Sequence, residues 1–177
     1  MRLKWDEFLV FCNSQNGIKN FETIKPYEFK VFRFLLKNDK KPKFRPWVIT
    51  KTDKNNFCCI TISCTTRQDV VLKYISNEKA QESIVQISKG KLPAIFNETT
   101  FIDCNLYDDV NNKTLSDLKE NIDWSGFKVI NKELPYWLTD KLVIAIVNSP
   151  ATPERVKNGF KYHYSSLFSH DNSKQPI

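Results

Sequence analysis

Hydrophobic and polar residues alternate in several short segments of the first half of the chain, which is the pattern of half-buried β-strands. Residues 27–36 alternate and are rich in aromatic side chains, and residues 46–50 form a second short apolar segment. Residues 57–65 alternate strictly between an apolar face (Cys58, Ile60, Ile62, Cys64) and a face of small residues (Cys59, Thr61, Ser63, Thr65). We expect the apolar face to join the core and the small-residue face to form the floor of a cleft.

Further segments extend this pattern towards both ends of the chain. Trp5, Phe8, Leu9 and Cys12 are spaced for an amphipathic helix over residues 4–12 that packs onto the body, followed by a turn-rich connection over 13–20. Residues 70–75 and 100–106 are predicted strands, and residues 114–122 a short helix. Leu138, Leu142, Ala145 and Ile146 share one face of a helix predicted over 134–147. A last helix is predicted to begin at Pro153, with Thr152 as its N-cap, and to stop at Gly159.

Short strands that precede helices predict an α+β fold, with a small antiparallel barrel or half-open sheet and helices packed against it. The 177 residues contain no repeat or Gly/Ser linker, so we expect one domain over 1–170 and a flexible tail over 171–177.

No apolar stretch reaches membrane-spanning length, and Asp6 and Glu7 interrupt the start of the chain where a secretory signal would be apolar. Five cysteines without a CxxC pair are typical of free thiols in a reducing compartment. We therefore expect a cytoplasmic protein with no membrane association.

Positive charge is concentrated in residues 25–51, which hold nine lysines and arginines against Glu28 and Asp39. The whole chain carries a net charge of +7, whereas residues 101–150 hold more acidic than basic residues. This asymmetry indicates a polyanionic partner on one side of the molecule. A solvated lysine-rich loop is the alternative interpretation of the same residues.

The sequence lacks the residues that most hydrolytic sites require. Its two histidines, His163 and His170, both lie near the C-terminus, no Gly-rich phosphate loop is present, and the cysteine spacing does not suit zinc. Asp108-Asp109 precedes two asparagines, which is typical of a turn. We therefore expect neither a metal nor another cofactor.

Cleavage of RNA remains possible, because the substrate's own 2′-hydroxyl is the nucleophile and the protein needs only to orient and stabilise the phosphate. Arg45 and Thr65 are the obvious pair for that task.

The order of these segments resembles the MazF/PemK family of toxin endoribonucleases. In that family a strand and a loop lead into Arg-Pro and an apolar strand, and then into a turn and a strand that ends in small residues. Here the same order is formed by residues 27–36, the loop 40–44, Arg45-Pro46 with residues 47–50, and the strand that ends in Cys64-Thr65-Thr66. The later apolar segment 100–106 also has a counterpart, so the resemblance covers roughly residues 25 to 120.

The resemblance implies an SH3-like barrel of the MazF/PemK/CcdB type that cleaves single-stranded mRNA without metal, leaving a 2′,3′-cyclic phosphate and a 5′-hydroxyl. It gives Arg45 the role of proton transfer and charge stabilisation, and it gives Thr65 the role of holding the scissile phosphate. Substrate-binding roles are expected at neighbouring positions (Lys40, Lys41, Lys43, Phe44, Ser63, Thr66, Arg67). A homodimer and an antitoxin partner are implied as well.

Other interpretations of the same residues stay open. One alternative is that Arg45 serves only to end a loop before an edge strand that starts at Pro46, and that Thr65 is only a β-branched strand residue. We expect Trp47 to be core rather than a stacking platform. The same barrel without catalytic geometry would be an RNA- or protein-binding module, and a third alternative is an accessory protein that docks a partner on the acidic residues 101–150.

Overall fold

The computed structural model describes residues 5–37, 44–52, 58–107, 112–130 and 133–169. Its helices are α1 (Trp5–Glu22), α2 (Asp69–Leu72), α3 (Glu78–Glu82), α4 (Leu115–Asn121), α5 (Tyr136–Asn148) and α6 (Glu154–His163), followed by a 3-10 turn at Ser165–Leu167. Its strands are β1 (Phe29–Leu36), β2 (Arg45–Lys51), β3 (Cys58–Thr65), β4 (Ile84–Ile87), β5 (Thr100–Asp103), β6 (Asn112–Thr114) and β7 (Ile122–Ile130).

The strands form one antiparallel sheet in the order β4-β5-β3-β2-β1-β7. Strand β3 has different neighbours at its two ends, because β6 pairs with its start and β5 pairs with its last two residues. The predicted α+β class is confirmed. In the described ranges β4 and β7 end the order and do not pair with each other, so the sheet is open.

Alternation along the strands creates a core on each face of the sheet. The main core includes Val31, Val48, Ile62, Cys64, Ile102, Leu142, Ile146 and Phe160, and it lies under α5 and α6. The aromatic core is formed by Phe21, Ile24, Phe32, Phe34, Trp47, Ile49, Leu118, Ile122, Trp124 and Phe127, and it lies under α1 and α4. The face of β3 that we predicted to be apolar therefore joins the main core. The predicted core position of Trp47 is confirmed as well, since its side chain is 7% exposed.

The first helix differs from its prediction in both length and packing. It runs without interruption through residues 13–20, where we expected a turn. Phe8 and Leu9, which we expected to pack onto the body, are 44% and 40% exposed. Packing is provided instead by the second half of α1, where Gly17 and Phe21 are buried against Trp124 and Phe127. Gly17 allows this approach because it has no Cβ, and a Cβ there would overlap the Trp124 ring.

Two further predictions were wrong, and two strands were missed. Residues 70–75 form α2 and turns rather than a strand. Their apolar run is largely exposed, with Tyr74 as its buried member. Strands β4 and β7 were not predicted, since β7 contains Ser125 and Gly126 and pairs irregularly with β1. Gly159 does not stop the last helix: it lies within α6, where its missing Cβ leaves space for the Tyr27 ring.

Several predictions are confirmed. Strands β1, β2, β3 and β5 lie within two residues of the expected starts, and α4 begins at the expected place because Thr114 and Asp117 form a capping box. The shared buried face of α5 is formed by Leu138, Leu142, Ala145 and Ile146. No helix in the described ranges has the length and apolar character needed to cross a membrane.

Candidate functional site

Two neighbouring pockets open at the ends of β2 and β3, and both are lined by Arg45 and Thr65. The larger pocket, of about 450 Å³, is completed by Ser63, Arg67, Asp69, Val70, Lys73, Tyr74, Asp103, Asn105 and Tyr107. The smaller pocket, of about 270 Å³, is completed by Arg33, Phe44, Pro46, Cys64, Thr66, Phe96, Asn97, Glu98 and Thr100. The predicted pair therefore lies where the two pockets meet.

Strand register explains why Arg45 and Thr65 lie together. Trp47 of β2 is paired with Ser63 of β3 in antiparallel register. The pairing of β2 with β3 ends at these two residues, and the same register extended by two positions brings Arg45 and Thr65 to adjoining strand ends on the same face of the sheet. That face is the one on which Trp47 enters the aromatic core. Ser63 and Thr65 line the larger pocket, whereas Thr61, which we also expected on the cleft floor, is buried.

Arg45 lies against a rigid aromatic wall. Its guanidinium carbon is 5.4 Å from the centre of the Trp47 ring, within the range of a cation–π contact. Trp47 is fixed by stacking on Phe34 at 5.4 Å and by a hydrogen bond of 3.2 Å from Nε1 to the Phe34 carbonyl oxygen. The side chain of Arg45 is half-buried. A guanidinium held in this way loses little further conformational freedom when it binds an anion.

The hydroxyl group of Thr65 has one defined contact, and that contact leaves its proton available. Thr65 Oγ1 accepts a hydrogen bond of 3.1 Å from the backbone N–H of Arg67. A hydroxyl carries one donor and two acceptor positions. Because the backbone occupies an acceptor position, Thr65 can donate its own O–H to an oxygen atom bound in the pocket.

The opposite wall of the larger pocket has charges of both signs. Arg67 forms a two-point ion pair with Asp69, in which Nε lies 3.0 Å from Oδ1. Lys73 Nζ lies 3.8 Å from Oδ2 of Asp103. Both pairs are partly exposed, so each is weak and screened by salt. The cations that line this pocket outnumber the carboxylates by one, since Arg45 is the third cation.

Asp103 belongs to a network of hydrogen bonds that sequence reasoning missed. Tyr74 donates a hydrogen bond of 3.0 Å to Oδ2 of Asp103, and Lys73 donates one of 3.0 Å to the Tyr74 hydroxyl. Burial, the negative charge of Asp103 and the neighbouring Tyr107 all raise the pKa of Tyr74 far above its ordinary value. Tyr74 therefore stays protonated and keeps its role as donor.

The network continues into the protein interior through Asn105, which is 2% exposed. Its side-chain amide donates to Oδ1 of Asp103 at 3.0 Å and to the Ala80 carbonyl at 2.8 Å. The amide oxygen of Asn105 accepts a hydrogen bond of 2.7 Å from Ser149, directly after α5. A buried network with all these partners holds its members rigidly, so Asp103 is fixed relative to the sheet and to α5. The polar residues Asp103 and Asn105 within an apolar segment were the available sequence signal.

Comparisons with protein-family models, with curated proteins and with solved structures give no match to this chain.

The other predicted substrate-binding residues divide between the two pockets. Ser63 and Arg67 line the larger pocket, whereas Phe44 and Thr66 line the smaller one. Lys40, Lys41 and Lys43 lie outside the described residues, as do Asp108 and Asp109.

The basic segment 25–51 does not form one uniform surface in the described ranges. Arg33 and Arg45 line the smaller pocket, Lys25 and Lys37 are exposed, and Lys51 is 5% exposed. Within this segment, the described positive charge that lines the site therefore comes from two arginines on strands, Arg33 and Arg45.

Other reactive groups of the described residues do not join the site chemistry. Cys64 lies behind Thr65 and is fully buried; burial raises the pKa of its thiol to about 12, although a backbone hydrogen bond with Val48 and the charge of Arg45 act in the opposite direction. His163 is exposed on α6, as predicted, and lies 5.5 Å from the Tyr27 ring. Within the described ranges, no three His, Cys, Asp or Glu side chains are grouped to hold a metal ion.

Proposed function

We propose that the protein is a metal-independent endoribonuclease of the MazF/PemK type, which cleaves single-stranded RNA. The observation that carries this proposal is the position of Arg45 and Thr65, which lie at the adjoining ends of neighbouring strands and line both pockets. Such a position allows both side chains to contact one phosphate while the nucleotides on its two sides occupy the two pockets.

In the proposed reaction the 2′-hydroxyl of the substrate attacks the adjacent phosphorus. The bond from phosphorus to the 5′-oxygen breaks, which leaves a 2′,3′-cyclic phosphate and a 5′-hydroxyl. The 2′-hydroxyl loses its proton and the leaving 5′-oxygen gains one, so neither water nor an oxidant is consumed. Arg45 stabilises the charge that develops on the non-bridging oxygens and, by the family resemblance, assists proton transfer. Thr65 donates a hydrogen bond to the same phosphate.

The remaining features implied by the resemblance belong to the same proposal. They are the SH3-like barrel fold, a homodimer, control by an antitoxin and action on mRNA in the cytoplasm. The open antiparallel sheet with β3 shared between β5 and β6 supports a partly rolled arrangement of the strands.

Cleavage of a labelled single-stranded RNA in the presence of EDTA tests the proposal. We expect wild type to give products that end in cyclic phosphate, identified by mass spectrometry. Arg45→Ala is expected to lower kcat by about 100-fold or more, because it removes a donor to the charged transition state. Thr65→Val keeps the shape of the side chain and is expected to cost about tenfold, the effect of one neutral hydrogen bond.

Two control variants match these substitutions in chemistry. Arg155 and Thr23 are exposed and line neither pocket, so Arg155→Ala and Thr23→Val should cleave like wild type. Equal activity in Arg45→Ala and Arg155→Ala would refute the site. RNA binding with no cyclic phosphate at any protein concentration would support the non-catalytic binding module instead.

A further inference from the structure

Arg33 lies beside the proposed catalytic pair but was not predicted as a site residue. It lies in β1 opposite Pro46 of β2, and it lines the smaller pocket together with Arg45. Its neighbours Phe32 and Phe34 point into the aromatic core, so the alternation of the strand directs Arg33 to the other face of the sheet. Arg33 thus approaches the smaller pocket from the face of the main core, whereas the Arg45 guanidinium lies on the opposite face beside Trp47, and both residues line the pocket where β2 begins and β3 ends.

Arg33 is half-buried, and in the described part of the chain its guanidinium is incompletely hydrogen-bonded. Its Nε atom is buried and has no hydrogen-bond partner there. A guanidinium cannot lose its charge in a protein, and a buried donor without an acceptor lowers the stability of the fold. The enclosed Nε atom cannot be reached from the smaller pocket, but an anion bound there would balance the positive charge of the guanidinium.

The rest of the smaller pocket suits a nucleotide. Thr66, Asn97 and Thr100 provide neutral polar groups. The carboxylate in the pocket, Glu98, forms an ion pair of 3.0 Å with Lys89, so its repulsion of a phosphate is reduced. Phe44 is 43% exposed at the rim, and its ring packs over Gly126, where a Cβ would overlap it. An exposed, supported aromatic ring is a platform on which a base can stack.

We propose that the smaller pocket is a second nucleotide subsite, in which Arg33 binds the phosphate adjacent to the scissile one and Phe44 stacks on a base. This inference rests on the proposed function, because it assigns the scissile phosphate to Arg45 and Thr65. A planar guanidinium can donate two parallel hydrogen bonds to phosphate oxygens. The ligand class is thus a single-stranded nucleotide chain with at least two consecutive phosphates.

Binding of short ligands that cannot be cleaved tests Arg33 separately from catalysis. The probe is a dinucleotide with a 2′-deoxyribose at the scissile position, prepared without a terminal phosphate, with a 5′-phosphate and with a 3′-phosphate. We expect wild type to bind one of the two phosphorylated forms about tenfold more tightly than the unphosphorylated form. Arg33→Gln should abolish that gain and leave the affinity for the unphosphorylated form unchanged, whereas Arg155→Gln should keep the gain.

A stability measurement excludes a merely structural role of Arg33. Arg33→Met removes the enclosed Nε donor that has no hydrogen-bond partner in the described ranges and keeps the apolar stem of the side chain, so the ligand-free variant should melt at the same temperature as wild type or higher. Three outcomes would overturn the proposal. The first is that wild type binds the phosphorylated forms no more tightly than the unphosphorylated form, and the second is that the gain in affinity persists in Arg33→Gln. The third is a clear loss of stability in Arg33→Met. Failure of the proposed function has a different readout, because cleavable RNA would then stay intact when it is incubated with wild type.

Discussion

Cys64 shows how closely the proposed site lies to the main core, since it follows Ser63 and precedes Thr65 but points to the other face of β3. Its thiol is fully buried, and burial raises the pKa from 9.0 to about 12. The folded protein therefore binds more protons than the unfolded chain between about pH 9 and pH 12. Stability must fall as the pH rises through this range.

We predict that Cys64→Ala removes this part of the pH dependence. The unfolding free energy of wild type should fall relative to that of Cys64→Ala above pH 9, with a slope of up to about 1.4 kcal/mol per pH unit. Urea unfolding between pH 7 and pH 10.5 measures both curves. The control is Cys12→Ala, because Cys12 is exposed and its variant should keep the wild-type slope. Parallel curves for wild type and Cys64→Ala would contradict the prediction.

At the same scale, the sequence predicted the positions of Arg45 and Thr65 but not their surroundings. Arg45 and Thr65 belong to two strands, β2 and β3, that follow each other in the chain and pair antiparallel. Because such neighbouring strands are recognisable in the sequence, the meeting of the two residues could be predicted. Asp103 and Tyr74 meet across separate segments, since they lie 29 positions apart in the chain. No periodicity encodes such a contact, and Tyr74 was assigned to a strand that does not exist. Arg33 was missed because, in sequence, it is simply one polar position of an alternating strand.

Among the elements, α1 is the one whose packing depends most on a single residue. Gly17 lies in the middle of the helix, where glycine is normally unfavourable by about 1 kcal/mol. Its place is explained by the Trp124 and Phe127 rings, which occupy the space of a Cβ. The Trp124 ring is itself fixed, since its Nε1 donates a hydrogen bond of 3.1 Å to the Lys119 carbonyl.

We predict that Gly17→Ala destabilises the protein although alanine is the better helix former. Overpacking costs about 1 to 3 kcal/mol, which should exceed the gain in helix propensity, so urea unfolding should show a net loss. Gln15→Ala, at an exposed position of the same helix, should be neutral or slightly stabilising. If Gly17→Ala were as stable as Gln15→Ala, the close approach of α1 to β7 would be wrong.

The errors in the predicted helices and strands have a common physical cause. The local pattern of residues does not show which other parts of the chain will pack against a segment or pair with it. The spacing of Phe8, Leu9 and Cys12 satisfies a helical period, and that part of α1 is indeed helical, but it is the second half that packs. Residues 70–75 have a strand-like composition, yet no neighbouring strand pairs with them in the described sheet. Strand β7 was missed because its Ser125 and Gly126 interrupt the alternation, although its pairing with β1 provides the support.

For the whole molecule, the main consequence of this fold is that one sheet separates two cores. The main core and the aromatic core lie on opposite faces of the same strands, with Val48 in the first and Trp47 in the second. A strand that unfolds therefore loses its packing contacts in both cores at once. We therefore expect the chain to unfold as one cooperative unit, in agreement with the single domain predicted from the sequence.

The four tryptophans of the chain allow a direct test of this coupling. In a background of Trp5→Phe and Trp137→Phe, the remaining tryptophans are Trp47 and Trp124, both in the aromatic core. Leu142 lies in the main core and is fully buried, so Leu142→Ala should cost about 2 to 5 kcal/mol. That loss should lower the melting temperature by roughly 10 °C for a domain of this size.

If the sheet couples the two cores, tryptophan fluorescence and far-UV circular dichroism should shift together in Leu142→Ala, although the substitution and the reporters lie on opposite faces. Ile144→Ala is the matched control, since Ile144 lies on the same helix and is 42% exposed; its melting temperature should change by no more than about 2 °C. A fluorescence transition that stays at the wild-type temperature while the dichroism signal falls earlier would show two independently unfolding layers. Because Arg45 and Thr65 are held by strands that belong to both cores, such independence would also remove the physical basis for a rigid site between the two pockets.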